Sequence, residues 1–270
     1  MRTDFARVFL SLRLDPSIAL VCLCGNHDVG NRPTPRSISR FRSAFGDEYL
    51  AFWTNGSYNI VLNNVLYNDP SGAERIFKSQ HRWLENRLQY ARHHQATSIF
   101  VFSHHPWFLY DEFEDPQNLT GYSPYPVEWR SENGESFPDS YFSMPKKYRA
   151  MALKLFRQYD VKACFSGHFH QNLISKTSWG MDMIVTASLS VIFDSTGNKN
   201  SKANESLEEE GLDLLAYQRE RRRKMTYESE EAMMNDSASD EEMSAEPNCR
   251  GIRVVDVQSD SGFRHFFVPL

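Results

Sequence analysis

An α/β fold is predicted by three observations. Short apolar runs alternate with helix-patterned segments, so the order along the chain is strand, helix, strand, helix. The runs are continuous rather than alternating, the pattern of parallel strands buried on both faces. Three of them end in a loop carrying histidine or glycine. Phe5, Val8, Phe9 and Leu12 predict a helix over residues 2–13, and Ala19 to Cys24 reads as a buried strand stopping at Gly25. A short helix is expected over 37–45. Phe52-Trp53 and Tyr58 to Leu66 read as two strands around a Thr-Asn-Gly-Ser turn. Trp83, Leu84, Leu88 and Ala91 place a helix over 80–94, and Thr97 to Phe102 is the next strand. A Pro/Tyr/Glu-rich connection over 109–144 is long enough to suggest a functional loop. Helix returns at 148–159, then strand at 161–165 and at 183–187, with a terminal hairpin from Ile252 to Val257 and Phe263 to Val268.

Composition excludes several classes. The 270 residues are 40% hydrophobic and 24% charged, as in ordinary globular proteins. With 30 Lys/Arg against 35 Asp/Glu the net charge is −5, which argues against a generally basic nucleic-acid binder. The apolar run at Ser17 to Cys24 is too short to span a bilayer, and charges before it break any signal-peptide core. Four cysteines do not make a disulfide framework in a chain of this length. A soluble, cytoplasmic protein is expected, without membrane or nucleic-acid partners. Residues 205–246 hold fourteen Asp/Glu and five Lys/Arg, too little apolar surface to offset ordering entropy. The chain therefore divides into a core at 1–193, an acidic and disordered insertion at 194–250, and a hairpin of the same core at 251–270. The insertion is the place for a protein partner; its Arg219 to Lys224 run reads as a solvated charge stretch and its Ser237 and Ser239 as unmodified.

The chemistry lies in three loops, Gly25-Asn26-His27-Asp28, Ser103-His104-His105-Pro106 and Gly167-His168-Phe169-His170. Each follows a predicted strand, where open α/β sheets put their ligand sites. Taken singly, the first could be an Asx turn and the second a plain strand terminus. Taken together they hold five of the nine histidines, an amide and a carboxylate, a ligand set for borderline divalent metals. A shared metal site is the reading that covers all three.

These stretches resemble the last three motifs of the calcineurin-like metallophosphoesterases: Gly-Asn-His-Asp/Glu, a His after a strand, and Gly-His-x-His. The longer run Gly25 to Asn31 with Pro33-Thr34, and Gly46-Asp47-Glu48-Tyr49 followed by Phe52-Trp53, are similar to the calcineurin-like phosphoesterase domain-containing protein 1 subgroup, described as serine/threonine phosphatases. The resemblance implies an incomplete four-layer α/β/β/α metallophosphoesterase sandwich and two divalent metal ions (Mn, Fe or Zn). It implies Asn26, His104 and His168 as ligands of one metal and His170 as a ligand of the other. His27 would be the general acid or a donor to the transition state, and Asp28 would orient it by accepting its other N–H. His105 is left out, because the family pattern uses the first His of that loop.

The family's two upstream motifs, Asp-x-His and Gly-Asp-x-x-Asp/Asn, do not occur in the sequence. Three accounts stand: an incomplete product of a longer gene, a short isoform acting as a non-catalytic interaction protein, or carboxylates supplied by Asp111, Glu112, Glu114 and Asp115. The expected function is metal-assisted hydrolysis of a phosphate monoester, with a phosphoprotein or small phosphate ester as substrate. A phosphodiesterase or nucleotidase is the rival within enzymes.

Overall fold

The computed structural model describes residues 15, 17–110, 112–115, 128–131, 135–138, 141–189, 193–194, 249–258 and 262–270. The helix expected over 2–13 and the acidic stretch 205–246, with its expected partner, lie outside the described residues.

Six strands form the central sheet: β1 Leu50–Thr54, β2 Ser57–Leu62, β3 Ser98–Ser103, β6 Ala163–Ser166, β7 Leu173–Lys176 and β8 Asp182–Val185. Their spatial order is β1-β2-β3-β6-β8-β7. The four inner strands run parallel, and β1 and β7 are antiparallel edges. The first pair is a two-residue hairpin whose Asn55 and Gly56 both have positive φ, 45° and 81°, as its tight turn requires. Of the other strands, β4 Glu128–Ser131, β5 Ser136–Pro138 and β9 Phe193–Asp194 make a small sheet, and β10 Gly251–Val257 pairs with β11 Phe263–Pro269.

Helices cover one face of the central sheet. They are α1 Asn26–Val29, α2 Pro35–Phe45, α3 Val65–Asn68, α4 Glu74–His93 and α5 Lys146–Gln158. Pro35 opens α2 and Thr34 caps it by accepting from Ser37 N–H at 3.1 Å. On α4 the buried Phe77, Leu84, Leu88 and Ala91 recur at helical spacing and meet Tyr58, Ile60, Ile99 and Val101 of the sheet. The intervening strand residues point the other way. Phe100, Phe165 and Ile184 join Val255, Val257 and Phe263 of the β10–β11 hairpin, with Phe100 and Phe263 rings 5.0 Å apart. Both faces of β3 are thus apolar, which is why its sequence is a continuous run.

Two expected elements differ. Ala19 to Cys24 is not a strand; it runs without a ladder, with Ile18, Leu20 and Val21 exposed and only Cys24 fully buried. Apolar content suggested burial, but among the described residues no strand lies alongside to accept its hydrogen bonds. The Tyr58–Leu66 run is shorter than expected, because the chain turns at Asn63-Asn64 into α3.

That turn is where helix and sheet are tied together. Gln80, fully buried on α4, accepts from Asn63 N–H and donates to Asn63 C=O, both at 3.0 Å. Replacing Gln80 by Leu leaves two buried backbone groups without partners. At roughly 1–3 kcal/mol each, we expect a loss of about 2–6 kcal/mol in urea unfolding. An unaltered midpoint would mean that the clamp carries no stability.

Candidate metal centre

The carboxyl ends of β3 and β6 bring two of the three loops together. Asn64, fully buried, grips the His104-His105 loop at two points: its Nδ2 donates to His105 C=O at 2.7 Å and its Oδ1 accepts from His105 N–H at 3.0 Å. Gly167 N–H donates to His104 C=O at 3.0 Å, joining the β6 loop to the β3 loop. The third loop arrives differently from expectation, as the first turn of α1 rather than the end of a strand. Gly25 makes that approach feasible, since a Cβ there would lie 2.8 Å from the His104 ring.

The side chains converge as follows. His104 Nε2 faces Asn26 Oδ1 at 2.9 Å. The His104 and His168 rings lie 5.0 Å apart, and the buried His105 ring lies 4.1 Å from His168. The Nε2 of His168 is buried without a hydrogen-bond partner among the described residues. A neutral imidazole nitrogen left bare in this way is the kind of atom that can serve a metal. His168 and His170 both stand at positive φ, 65° and 59°, uncommon for a non-glycine residue and typical of side chains aimed by their surroundings.

Asn26, His104, His168 and His170 therefore gather at one end of the sheet, with the exposed His27 within electrostatic range of His104 and His168. Asp28 does not behave as expected. Its Oδ2 accepts from Gly25 N–H at 2.9 Å, an N3 carboxylate reaching back to the N-cap backbone, instead of orienting His27. Of the acidic group in the 109–144 connection, Glu114 and Glu112 are engaged with other parts of the chain. Glu114 is fully buried, where it accepts from Leu109 N–H, Tyr110 N–H and Ser143 Oγ and pairs with the buried Arg149 at 3.7 Å. Glu112 accepts from Ser178 N–H, and Asp111 lies outside the described residues. Glu114 is a strut: with Arg149 it closes the loop that brings Tyr141 and Phe142 to 5.2 and 5.5 Å from His168.

A divalent cation is the natural guest for an orphaned buried imidazole nitrogen beside a second imidazole and an amide oxygen. The fit is to one cluster of neutral donors. Among the described residues no group of three or more His, Cys, Asp or Glu is arranged as a metal site. No role was read from the sequence for Tyr141, Asn31 or Asn64: Tyr141 lies in an irregular loop, Asn31 stood in the quoted Gly25 to Asn31 run only as part of a resemblance, and Asn64 fell inside an expected strand. The Gly46 to Tyr49 motif lies elsewhere, beside a polar cavity of about 490 Å³, with buried Glu48 holding Arg42 (Nη2 to Oε1 2.6 Å) and Tyr49 against Trp83.

Burial and mutual repulsion hold the cluster neutral. The His104 imidazole is pushed down to about 4 and that of His168 to about 3, in both cases chiefly by burial and then by neighbouring histidines. The unfolded chain protonates these rings near the ordinary value of 6.5 and so binds more protons than the folded one. Stability is therefore expected to fall as pH drops from about 6.5 towards 3. Urea unfolding across that range should show a slope that His168→Asn flattens; an identical slope in the variant would refute the assignment.

The Calcineurin-like phosphoesterase family profile matches residues 2–172. The serine/threonine-protein phosphatase CPPED1 of Danio rerio is 34% identical over 175 residues, covering 65% of this chain and 49% of its own length. CPPED1 of Homo sapiens is 32% identical over 186 residues, 69% of this chain and 51% of its own. A solved dimetal phosphatase from Danio rerio superposes with a TM-score of 0.41 at 18% identity, over 68% of this chain and 66% of that one. The chain spans about half the length of the curated relatives it matches. Because the family profile covers more than half of the chain and takes in all three histidine-bearing loops, the chain belongs to the calcineurin-like phosphoesterase family.

Proposed function

We propose that the chain acts as a metal-dependent phosphoesterase on phosphate monoesters of protein serine and threonine residues. The observation that carries this reading is the bare, buried His168 Nε2 set beside His104 Nε2 and Asn26 Oδ1. All three donors are neutral, so they leave the charge of a bound cation uncompensated and directed at an anionic ligand. When bound, the metal supplies Lewis-acid stabilisation of charge developing on the phosphoryl oxygens. Family membership supports a two-metal site; in our reading the ions are Mn, Fe or Zn and His170 reaches the other one.

The remaining chemistry falls to the chain. His27 is exposed on the first turn of α1, next in sequence to Asn26, and can donate a proton to the leaving alkoxide oxygen. Asp28 keeps that turn in place by capping Gly25 N–H, which holds the His27 backbone while leaving its ring free to meet substrate. The names of the CPPED1 relatives support a phosphoprotein substrate. A reducing, cytoplasmic location is supported by the four cysteines, all free thiols, two of them fully buried. No helix among the described residues is long and apolar enough to cross a membrane.

Turnover of a phosphoserine peptide, an aryl phosphate and a cyclic nucleotide by the Mn-loaded chain tests this reading. Preference for the peptide is expected, with His27→Ala lowering kcat by about 10²–10⁴-fold. Cyclic-nucleotide preference would point to a phosphodiesterase. Equal turnover by His27→Ala would remove His27 from catalysis, and no turnover of any substrate would favour an interaction protein.

A further inference from the structure

Asn26 can serve a cation only through its amide oxygen, and a primary amide can turn over about its last torsion, exchanging O for NH₂. Here both amide protons are engaged. Asn26 Nδ2 donates to Asn31 Oδ1 at 2.9 Å and to the Tyr141 hydroxyl at 3.3 Å. Turning the amide over would set Asn26 Oδ1 against the Asn31 carbonyl oxygen. It would also remove the oxygen from its 2.9 Å contact with His104 Nε2. The retained orientation therefore points the one useful lone-pair donor of Asn26 to the side where His104 presents Nε2.

We infer that Asn31 and Tyr141 are positioning residues that lock the Asn26 amide oxygen toward the metal and so set the affinity of the site for a divalent cation. This rests on the metal-centre reading above. The two partners come from separate parts of the chain: Asn31 stands two residues beyond α1, and Tyr141 lies near the end of the 109–144 connection that Glu114 and Arg149 brace. Asn26 is buried whereas Asn31 is exposed, so the lock is applied from the surface, and altering Asn31 opens no core cavity. Asn31 and Tyr141 would touch neither metal nor phosphate; they act through Asn26.

Calorimetric titration of Mn(II) into the full chain tests the lock without reference to activity. Asn31→Leu is close in size but has no acceptor, and should weaken binding about 10–100-fold, the usual cost of losing a group that orients a ligand. Asn31→Asp keeps the acceptor and should bind within about threefold of the parent, while Tyr141→Phe loses the longer bond and should fall between them. Side-chain NH₂ hydrogen exchange at Asn26 should quicken in Asn31→Leu while the thermal midpoint stays level. Parental affinity in Asn31→Leu, or equal loss in the Leu and Asp variants, overturns the lock while leaving the metal centre standing. Failure of the parent chain to bind Mn(II) overturns the metal-centre reading and this inference with it.

Discussion

Two side-chain amides hold the carboxyl edge of the parallel sheet together, and the site depends on them. Gln80 reaches from α4 to both backbone groups of Asn63, and the next residue, Asn64, reaches on to both backbone groups of His105. Each is a two-point contact, so each fixes orientation as well as distance. Both amides are fully buried, where hydrogen bonds are electrostatically strong and an unmade one costs about 1–3 kcal/mol. The result is that the loop bearing His104 is set by the packing of a twenty-residue helix, not by its own few residues.

From that edge, order spreads through backbone contacts into the neighbouring loops. Gly167 N–H on His104 C=O carries it to the His168-x-His170 loop. On the far side of the same loop, Arg253 of the β10–β11 hairpin donates to Thr186 Oγ1 at 3.1 Å and to Asn172 Oδ1 at 3.4 Å. Asn172 in turn accepts from Ala187 N–H. The hairpin thus does two things: it covers the second face of the sheet with Phe263 and Val255, and it pins the segment that follows His170.

Neutral imidazoles packed this closely tolerate little added charge. His104, His105 and His168 are all held below the ordinary histidine range by burial first and by neighbouring histidines second. Such a cluster resists protons but suits a cation that coordinates rather than protonates, because one ion can satisfy several lone pairs at once. The positive φ of His168 and His170 fits the same picture, since local backbone strain persists only where surrounding contacts over-determine it. For His168 those contacts come from Tyr141 and Phe142, braced in turn by the buried Glu114–Arg149 pair.

What the amino-acid sequence determined by itself was whatever depends on neighbours a few residues away. Helical spacing over Trp83 to Ala91, the Asn55-Gly56 turn and the two histidine loops that follow β3 and β6 are local patterns, and they stand where local rules put them. Pairing, burial and partner choice are not local. Whether Ala19 to Cys24 becomes a strand depends on a neighbouring strand and not on its apolar content. Glu114 looked like one of four acidic loop residues, yet tertiary contacts bury it against Arg149 as a strut. The histidines were therefore legible as ligand types, whereas two contacts that set the site, Tyr141 on Asn26 across 115 positions and Asn64 on the His105 backbone across 41, exist only once the chain has closed on itself.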